Sequence, residues 1–525
     1  MEYVIRRRKK NGIMKNALMP KLEINSNRGL IIEEEIEERI ELLSPSSVAF
    51  HKPDFNVHVL AILGFKTSVS VDLIKAKFPS TLLKHPRFSS VVVGDPDKNE
   101  ELRWERTQVN LEQHIIVPNI NLENIKSPQN YVENYLHNLS KSSLDKSRPL
   151  WEIHILNIPQ SDDVKGIAIF RIHHSLGDGT SLVSLLLALT RKTSDPTALP
   201  TIPGAKMDHN VSNKSIKGFV FAMFVTLWSI LRLFWNTTMD IFLFIATAWF
   251  LKDTSPLKSD PRGPNAPRRV VFKCFSLDDM KFVKNAVGGT INDVALGITQ
   301  AGLSRYFSRI YANNEENHGV DKTKIKKFLK NIRLRSILLI NIRPSGGIQA
   351  LADMMEKDAE VKWGNALGYV LLPFKLGLHD DPLNYVREAK TTVDKKKHSL
   401  EAIYTFFMAE IVMKFFGSKV ASGISDNINA HTTIAFSNLA GPLEEIGFYG
   451  LPLSFLAPSS YGQPHPVMIN FQSYSNKMTI VLAVDEHAVP DPHQLCDDIV
   501  DSLKLVKDAV IKQGCLPKDN SMPTN

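Results

Sequence analysis

The chain has 525 residues, 43% of them hydrophobic and 22% charged, with a net charge of +8. Such a composition excludes a disordered chain, a collagen and a polytopic membrane protein, and the length gives room for about two to four domains. The mild basic excess suits an anionic partner without choosing between nucleic acid, an anionic membrane and a phosphorylated cofactor.

In chain order, residues 1–40 read as a tail. It holds a basic cluster, Arg6 to Lys10, and an acidic run from Glu33 to Glu38 that reads as a solvated helical face. No apolar core of a secretory signal accompanies the basic cluster. A first globular half follows over 41–192, with strand candidates at Val57–Leu63 and Gly166–His174. Residues 193–269 read as a linker. Within it, 218–251 carries only two charges, Arg232 and Asp240, which divide it into short uncharged stretches. A bilayer-spanning helix needs about 20 apolar residues, so each stretch alone is short, though Gly218–Trp235 with its one arginine could span marginally. A second half covers 270–512 and closes with a helix whose apolar face is Leu495, Ile499, Leu503 and Val506. Residues 513–525 read as a tail. The three cysteines, Cys274, Cys496 and Cys515, are scattered, which implies neither a disulfide framework nor a zinc site and suits a reducing compartment.

The segment Gly166–Leu189 carries the strongest chemical signal. Its first part is an apolar run that suits a buried strand. Side chains alternate along a strand, so Phe170, Ile172 and His174 share one face, and Ile169, Arg171 and His173 the other. Gly177-Asp178-Gly179 is turn chemistry, and Thr180 or Ser181 is placed to cap a following helix with Leu182, Leu185, Leu186 and Leu189. The unit is strand, tight turn, helix, with an imidazole where the strand ends. Elsewhere, Thr290 and Asp293 have the spacing of a capping box, which puts Asn292 in the first turn of a helix, where exposed N–H groups favour negative charge. Trp151 reads as a core residue, and the basic stretch Lys322–Arg335 as a solvated helix.

His173-His174-Ser175-Leu176-Gly177-Asp178-Gly179 resembles the HHxxxDG motif of the CoA-dependent acyltransferase superfamily. Five further stretches occur in the order found in its plant wax ester synthase/diacylglycerol acyltransferase branch. They are Pro149-Leu150-Trp151-Glu152, Thr290 to Val294, Asn341-Ile342-Arg343-Pro344, Trp363-Gly364-Asn365 with Gly368, and Ser437 to Pro442. The resemblance covers about residues 41–512. It implies an α/β fold of two similar halves, mixed sheets with flanking helices, enclosing a channel.

The same resemblance implies O-acyl transfer from acyl-CoA to a long-chain alcohol or to diacylglycerol, with no metal and no permanently bound cofactor. His174 is then the general base, a role that a neutral imidazole suits near neutral pH. His173 supports it through hydrogen bonds. Asp178 shapes the turn with Arg343 as its candidate partner, Gly179 belongs to the same supporting set, and Asn292 is the candidate oxyanion donor. No GxSxG elbow or cysteine nucleophile motif is present, which favours direct transfer in a ternary complex. The partners expected are acyl-CoA, the acceptor and, through 218–251, a membrane surface, but no nucleic acid. One crossing between the halves would separate them, so 218–251 is expected to be a monotopic hairpin or interfacial helices. The plant branch implies the cytosolic face of the endoplasmic reticulum, with the plasma membrane as a second address. Two rival readings are a transferase with a soluble acceptor, like the BAHD or condensation enzymes, and a non-catalytic lipid-binding protein of the same fold.

Overall fold

A computed structural model describes residues 41–94, 100–203, 216–257, 259–260, 262–314, 321–342, 347–357, 363 and 367–514. The strands are β1 (Glu41–Leu42), β2 (His58–Phe65), β3 (Ser90–Val93), β4 (Arg103–Arg106), β5 (Ile115–Ile116), β6 (Trp151–Leu156), β7 (Gly166–His173), β8 (Thr190–Lys192), β9 (Arg268–Ser276), β10 (Leu334–Asn341), β11 (Leu367–Phe374), β12 (Ile434–Leu439), β13 (Ile446–Phe448), β14 (Leu451–Tyr461), β15 (Val467–Tyr474) and β16 (Lys477–Asp485). The helices are α1 (Pro45–Ala49), α2 (Val71–Lys77), α3 (Pro128–Leu139), α4 (Gly179–Ala188), α5 (Ile216–Trp249), α6 (Leu277–Ala286), α7 (Ile291–Asn314), α8 (Lys322–Asn331), α9 (Gly347–Lys357), α10 (Leu383–Lys397), α11 (Glu401–Ala430) and α12 (Pro492–Lys512).

Two large mixed sheets organise these elements. The first has the order β5-β6-β7-β2-β14-β13-β8, and the second β11-β10-β12-β15-β16-β9. Strand β7 is buried along its whole length, and apolar apart from Arg171 and His173, because both faces are covered. On one face Phe170 and Ile172 pack with Leu182, Leu185 and Leu186 of α4. On the other, Ile167 and Ile169 join a core that also takes Val270, Val481 and Ala483 from the second sheet, so the two sheets meet there. The second core is built on α7 and α12, where Leu495, Ile499, Leu503 and Val506 are all buried as their helical spacing predicts.

The division into halves at residue 270 is not a division in space. Strand β14 pairs antiparallel with β2, and β13 with β8, so residues 446–461 complete the sheet that carries the histidines.

Residues 216–249 form one continuous helix, not the hairpin or pair of interfacial helices expected. The two charges, Arg232 and Asp240, do not interrupt it, and Asp240 is paired. It meets Lys396 at 2.8 Å, and Lys396 also meets the buried Glu401 at 2.7 Å. Burial pushes the Glu401 carboxyl up to about 7, with Lys396 opposing the rise. Beyond the helix, Asp253 holds the buried Arg335 at 2.7 Å. The basic stretch thus divides: most of α8 is solvated, while Arg335 lies on β10 as a structural ion.

Candidate active site

His174 is the first residue past β7, and its backbone N–H donates to the Val57 carbonyl at 2.9 Å. The turn that follows is pinned from outside: Ser47 of α1 donates its hydroxyl to the Ser175 carbonyl at 3.0 Å. It ends on Asp178, which is the N-cap of α4. The Asp178 Oδ1 accepts from the Ser181 N–H at 2.8 Å and from the Thr180 hydroxyl at 2.8 Å. This corrects the expectation that Thr180 or Ser181 would cap; the helix begins two to three residues earlier, where the Asp178 carboxylate satisfies its orphan N–H groups. Arg343, the expected partner of Asp178, lies outside the described residues. Gly179 opens the helix, and a Cβ there would point towards Leu439 of β12 at 3.9 Å.

His174 is half-buried, with its Nδ1 shielded from solvent, and its ring packs on Phe50 with ring centroids 4.3 Å apart. Burial holds its pKa below the ordinary histidine value, while the Asp178 charge pulls the other way. The imidazole is therefore neutral at pH 7.

His173 points the opposite way, as alternation requires. The Ser175 N–H donates to its Nδ1 at 3.3 Å, which leaves Nε2–H to donate to the Asn56 Oδ1 at 2.9 Å. Asn56 in turn donates to the Ser143 hydroxyl at 2.8 Å. The His51 ring lies 4.4 Å away and the His58 edge 5.2 Å away. Burial pushes His51 down to about 4 and His58 to about 3, so the site stands on a bed of neutral imidazoles.

Beneath them runs a buried ionic network that the chain pattern did not disclose. Glu152 of β6 lies directly opposite Arg171 of β7 in antiparallel register, and their charged groups meet at 2.8 Å. Glu152 also meets His154 at 3.0 Å, and Tyr135 reaches the other nitrogen of His154 at 2.8 Å. Burial raises the Glu152 pKa, but the His154 hydrogen bond and the Arg171 charge outweigh it and hold the carboxyl at about 2. Both residues sit in quoted motifs, yet only the strand register shows them as partners. Glu152→Ala strands a buried guanidinium and is expected to destabilise the fold by about 3–5 kcal/mol. Urea denaturation of the variant checks this, and a midpoint equal to wild type would refute the network's structural role.

Asn292 and Asp293 separate in role. The Thr290 N–H donates to the Asp293 carboxylate at 2.7 Å and its hydroxyl does so at 2.9 Å, which makes Asp293 a capping-box residue. Asn292 is exposed in the first turn of α7, where its Oδ1 accepts from Asn438 Nδ2 at 2.5 Å. Asn438 precedes Leu439, the residue that faces Gly179. Two stretches far apart in sequence thus converge near the start of α4. Trp363 does the same from a third: its indole N–H donates to the Leu176 carbonyl, and a Cβ on Gly177 would lie 2.8 Å from the ring. Gly177 is therefore required for close packing, not only for the turn. Trp151 is fully buried and donates to the Phe88 carbonyl at 2.8 Å, as a core residue should. Beside α4 an apolar pocket is lined by Ile172, Gly179, Val183, Leu186, Leu439 and Leu456.

Comparison with known proteins accords with this convergence. The chain matches the wax ester synthase/diacylglycerol acyltransferase catalytic domain over residues 46–295 and the WS/DGAT C-terminal domain over residues 363–507. It is 45% identical over 483 residues to wax ester synthase/diacylglycerol acyltransferase 11 of Arabidopsis thaliana, covering 92% of this chain and 97% of that protein. It is 44% identical over 501 residues to wax ester synthase/diacylglycerol acyltransferase 5 of the same plant, covering 93% and 98%. Among solved structures, the wax ester synthase/diacylglycerol acyltransferase from Marinobacter aquaeolei VT8 superposes with a TM-score of 0.55 at 14% identity, covering 90% of this chain and 100% of that one. The first condensation domain of the CDA synthetase superposes with a TM-score of 0.52 at 12% identity, covering 90% and 97%. At these identities the two structures speak for the fold alone. The identity to the plant relatives, sustained over more than nine-tenths of the chain, shows that it belongs to the wax ester synthase/diacylglycerol acyltransferase family.

Proposed function

We propose that this chain transfers a long-chain acyl group from acyl-CoA to a fatty alcohol and to diacylglycerol, with His174 as general base. The activity follows from the family, whose members named above are wax ester synthases and diacylglycerol acyltransferases. The role of His174 rests on one observation: the neutral imidazole of a half-buried histidine is held at a strand end by a turn that Ser47 pins, Asp178 caps and Trp363 packs against.

In this reading His174 takes the acceptor hydroxyl proton as the oxygen attacks the thioester carbonyl. Collapse of the tetrahedral intermediate expels CoA thiolate, and the protonated imidazole returns the proton to it. The acyl group passes directly to the acceptor oxygen. Asn292 supplies a side-chain amide near the site, oriented by Asn438, to stabilise the oxyanion. Asn292→Ala is expected to lower kcat by about 10²-fold with little change in stability. Rate and melting measurements on the purified variant decide this, and an unchanged kcat would remove Asn292 from the mechanism. The apolar pocket beside α4 suits an alkyl chain.

The reading includes a membrane-associated enzyme facing the cytosol at the endoplasmic reticulum. Helix α5 has an apolar stretch, Met223–Trp249, of 27 residues with few of them buried. It is long enough to cross a bilayer, but its attachment to the body favours a helix lying in the interface. From Asn236 onward α5 is tied to the body, through hydrogen bonds from Asn236 to the Lys395 and His398 carbonyls and through Asp240.

An acyl-transfer assay on membranes from expressing cells tests the whole reading. Labelled palmitoyl-CoA is offered with hexadecanol or dioleoylglycerol separately. Wax ester and triacylglycerol are the expected products, and formation of neither would favour a soluble acceptor or a non-catalytic protein.

A further inference from the structure

Helix α11 leaves a second apolar surface uncovered. Ile403, Phe407, Ile411 and Phe415 recur every four residues along it and are all exposed, and Phe416 and Val420 continue the exposed surface. Phe415 and Phe416 are 71% and 67% accessible. They stand immediately before an elbow at Gly417, whose φ of 82° takes it out of helical geometry. No neighbouring atom lies within 4 Å of a Cβ built there, so packing does not impose the elbow. An aromatic pair at an unsupported bend is costly in water, since each ring keeps its apolar area wet.

We propose that α11 is a second bilayer-docking element beside α5, with the Phe415-Phe416-Gly417 elbow inserted among lipid headgroups. This rests on the reading of the chain as a membrane-associated acyltransferase, and it assigns residues outside 218–251. Three observations favour lipid as the occupant.

First, α11 and α5 pack on each other, with Phe244 and Ala248 of α5 against Ile424 and Ile428 of α11, so the surface continues that of the apolar helix. On α5 it includes Phe224, Trp228, Phe234 and Trp235, all exposed, a mixture of Trp and Phe that suits the interface.

Second, the charges bordering it are mainly basic. Lys414 lies 5.8 Å from the Phe415 ring, Lys419 is exposed one turn on, and Lys395 and Lys397 flank the α5 contact. Glu410 is the one exposed acid between Phe406 and Val420. Lysines so placed rest their stems on apolar surface and reach phosphate groups.

Third, α11 is joined to the site. Lys52 meets Asp426 of α11 at 3.6 Å, α1 packs on α11, and Phe50 between them covers His174. Docking on α11 would therefore set the Phe50 side of the histidine towards the membrane, where a long-chain acceptor is dissolved.

The test is flotation of the purified full chain with phosphatidylcholine vesicles containing about one-fifth phosphatidylinositol. Hexadecanol esterification is assayed in the same vesicles and in detergent micelles. Phe415→Glu with Phe416→Glu is expected to reduce the vesicle-bound fraction about tenfold and raise the KM for vesicle-borne hexadecanol by a similar factor, with micellar activity within about twofold of wild type. Trp228→Glu with Phe234→Glu is the α5 arm. Loss of flotation in the α5 arm alone would overturn the role of α11 and leave the membrane reading standing. Wild type that does not float would overturn both. A dimer that the α11 pair turns into monomer, with flotation retained, would make the surface a self-association face and also overturn the proposal. The milder Phe416→Ser serves if the double variant loses micellar activity: normal flotation of that variant counts against α11, and reduced flotation supports it.

Discussion

His174→Ala is expected to lower acyl transfer by about 10²- to 10⁴-fold, the usual worth of general-base assistance, while the protein melts at nearly the wild-type temperature. The fold should survive because the backbone of His174 is bonded into the sheet through its N–H to Val57, a bond that truncation of the side chain keeps. Truncation removes the stacking on Phe50 and leaves the His173–Asn56 bonds and the Asp178 cap untouched. The pH dependence carries a second signature. Burial lowers the pKa of His174, so the base stays unprotonated as pH falls through the ordinary histidine range. The rate of wild type should be flat around pH 7 and decline only on the acid side of about 6.5. Initial rates with palmitoyl-CoA and hexadecanol, measured for both proteins across that range, provide the check. A mutant as fast as wild type would move the base elsewhere.

Acid lability of the fold is the second large effect expected. His58, His85 and His465 are buried and each is pushed down to about 3, chiefly by burial, and His51 is pushed to about 4. In the unfolded chain each titrates near 6.5. Between those values the unfolded state binds protons that the folded state refuses, so stability falls as pH falls. One such histidine withholds about 3 kcal/mol between pH 6.5 and 4, and several together rival the whole stability of an ordinary domain. Glu152 acts in the same direction at lower pH, since its depressed pKa gives stability that is present above the unfolded value and lost as pH falls towards about 2. Glu401 opposes both. Its pKa of about 7 means that protonation below that value relieves a buried charge, but it is one group against several. Melting temperatures taken from pH 7.5 down to 4.5 should drop steadily, and His58→Gln should flatten the slope. A melting point constant across that range would contradict neutral burial of these rings.

A few elements are readable because each is local. Apolar alternation marks β7, the Leu495-to-Val506 spacing marks α12, and Thr290 with Asp293 marks the start of α7. The strand–turn–histidine unit was legible for the same reason, and alternation alone put His173 and His174 on opposite faces. The cap of α4 was misplaced by two or three residues, since Asp, Thr and Ser all suit the position and only the backbone path selects Asp178. The apolar segment reads as two short stretches because its charges punctuate it, but a charged side chain leaves the backbone hydrogen bonds of a helix intact, and Asp240 finds Lys396.

By itself, the sequence determined the family, a few local elements and the identity of the histidine at the strand end, since motif and period are properties of neighbours along the chain. Only the tertiary structure decided what surrounds that histidine. Phe50 over its ring, Asn56 behind His173, Glu152 opposite Arg171, Asn438 on Asn292 and Trp363 on Gly177 pair residues separated by 19 to 187 positions where hydrogen bonds record them. Such pairs follow from strand register and from residues 446–461 closing a sheet begun at residue 58. Register is set by which faces are buried together, a long-range packing condition that no local window contains.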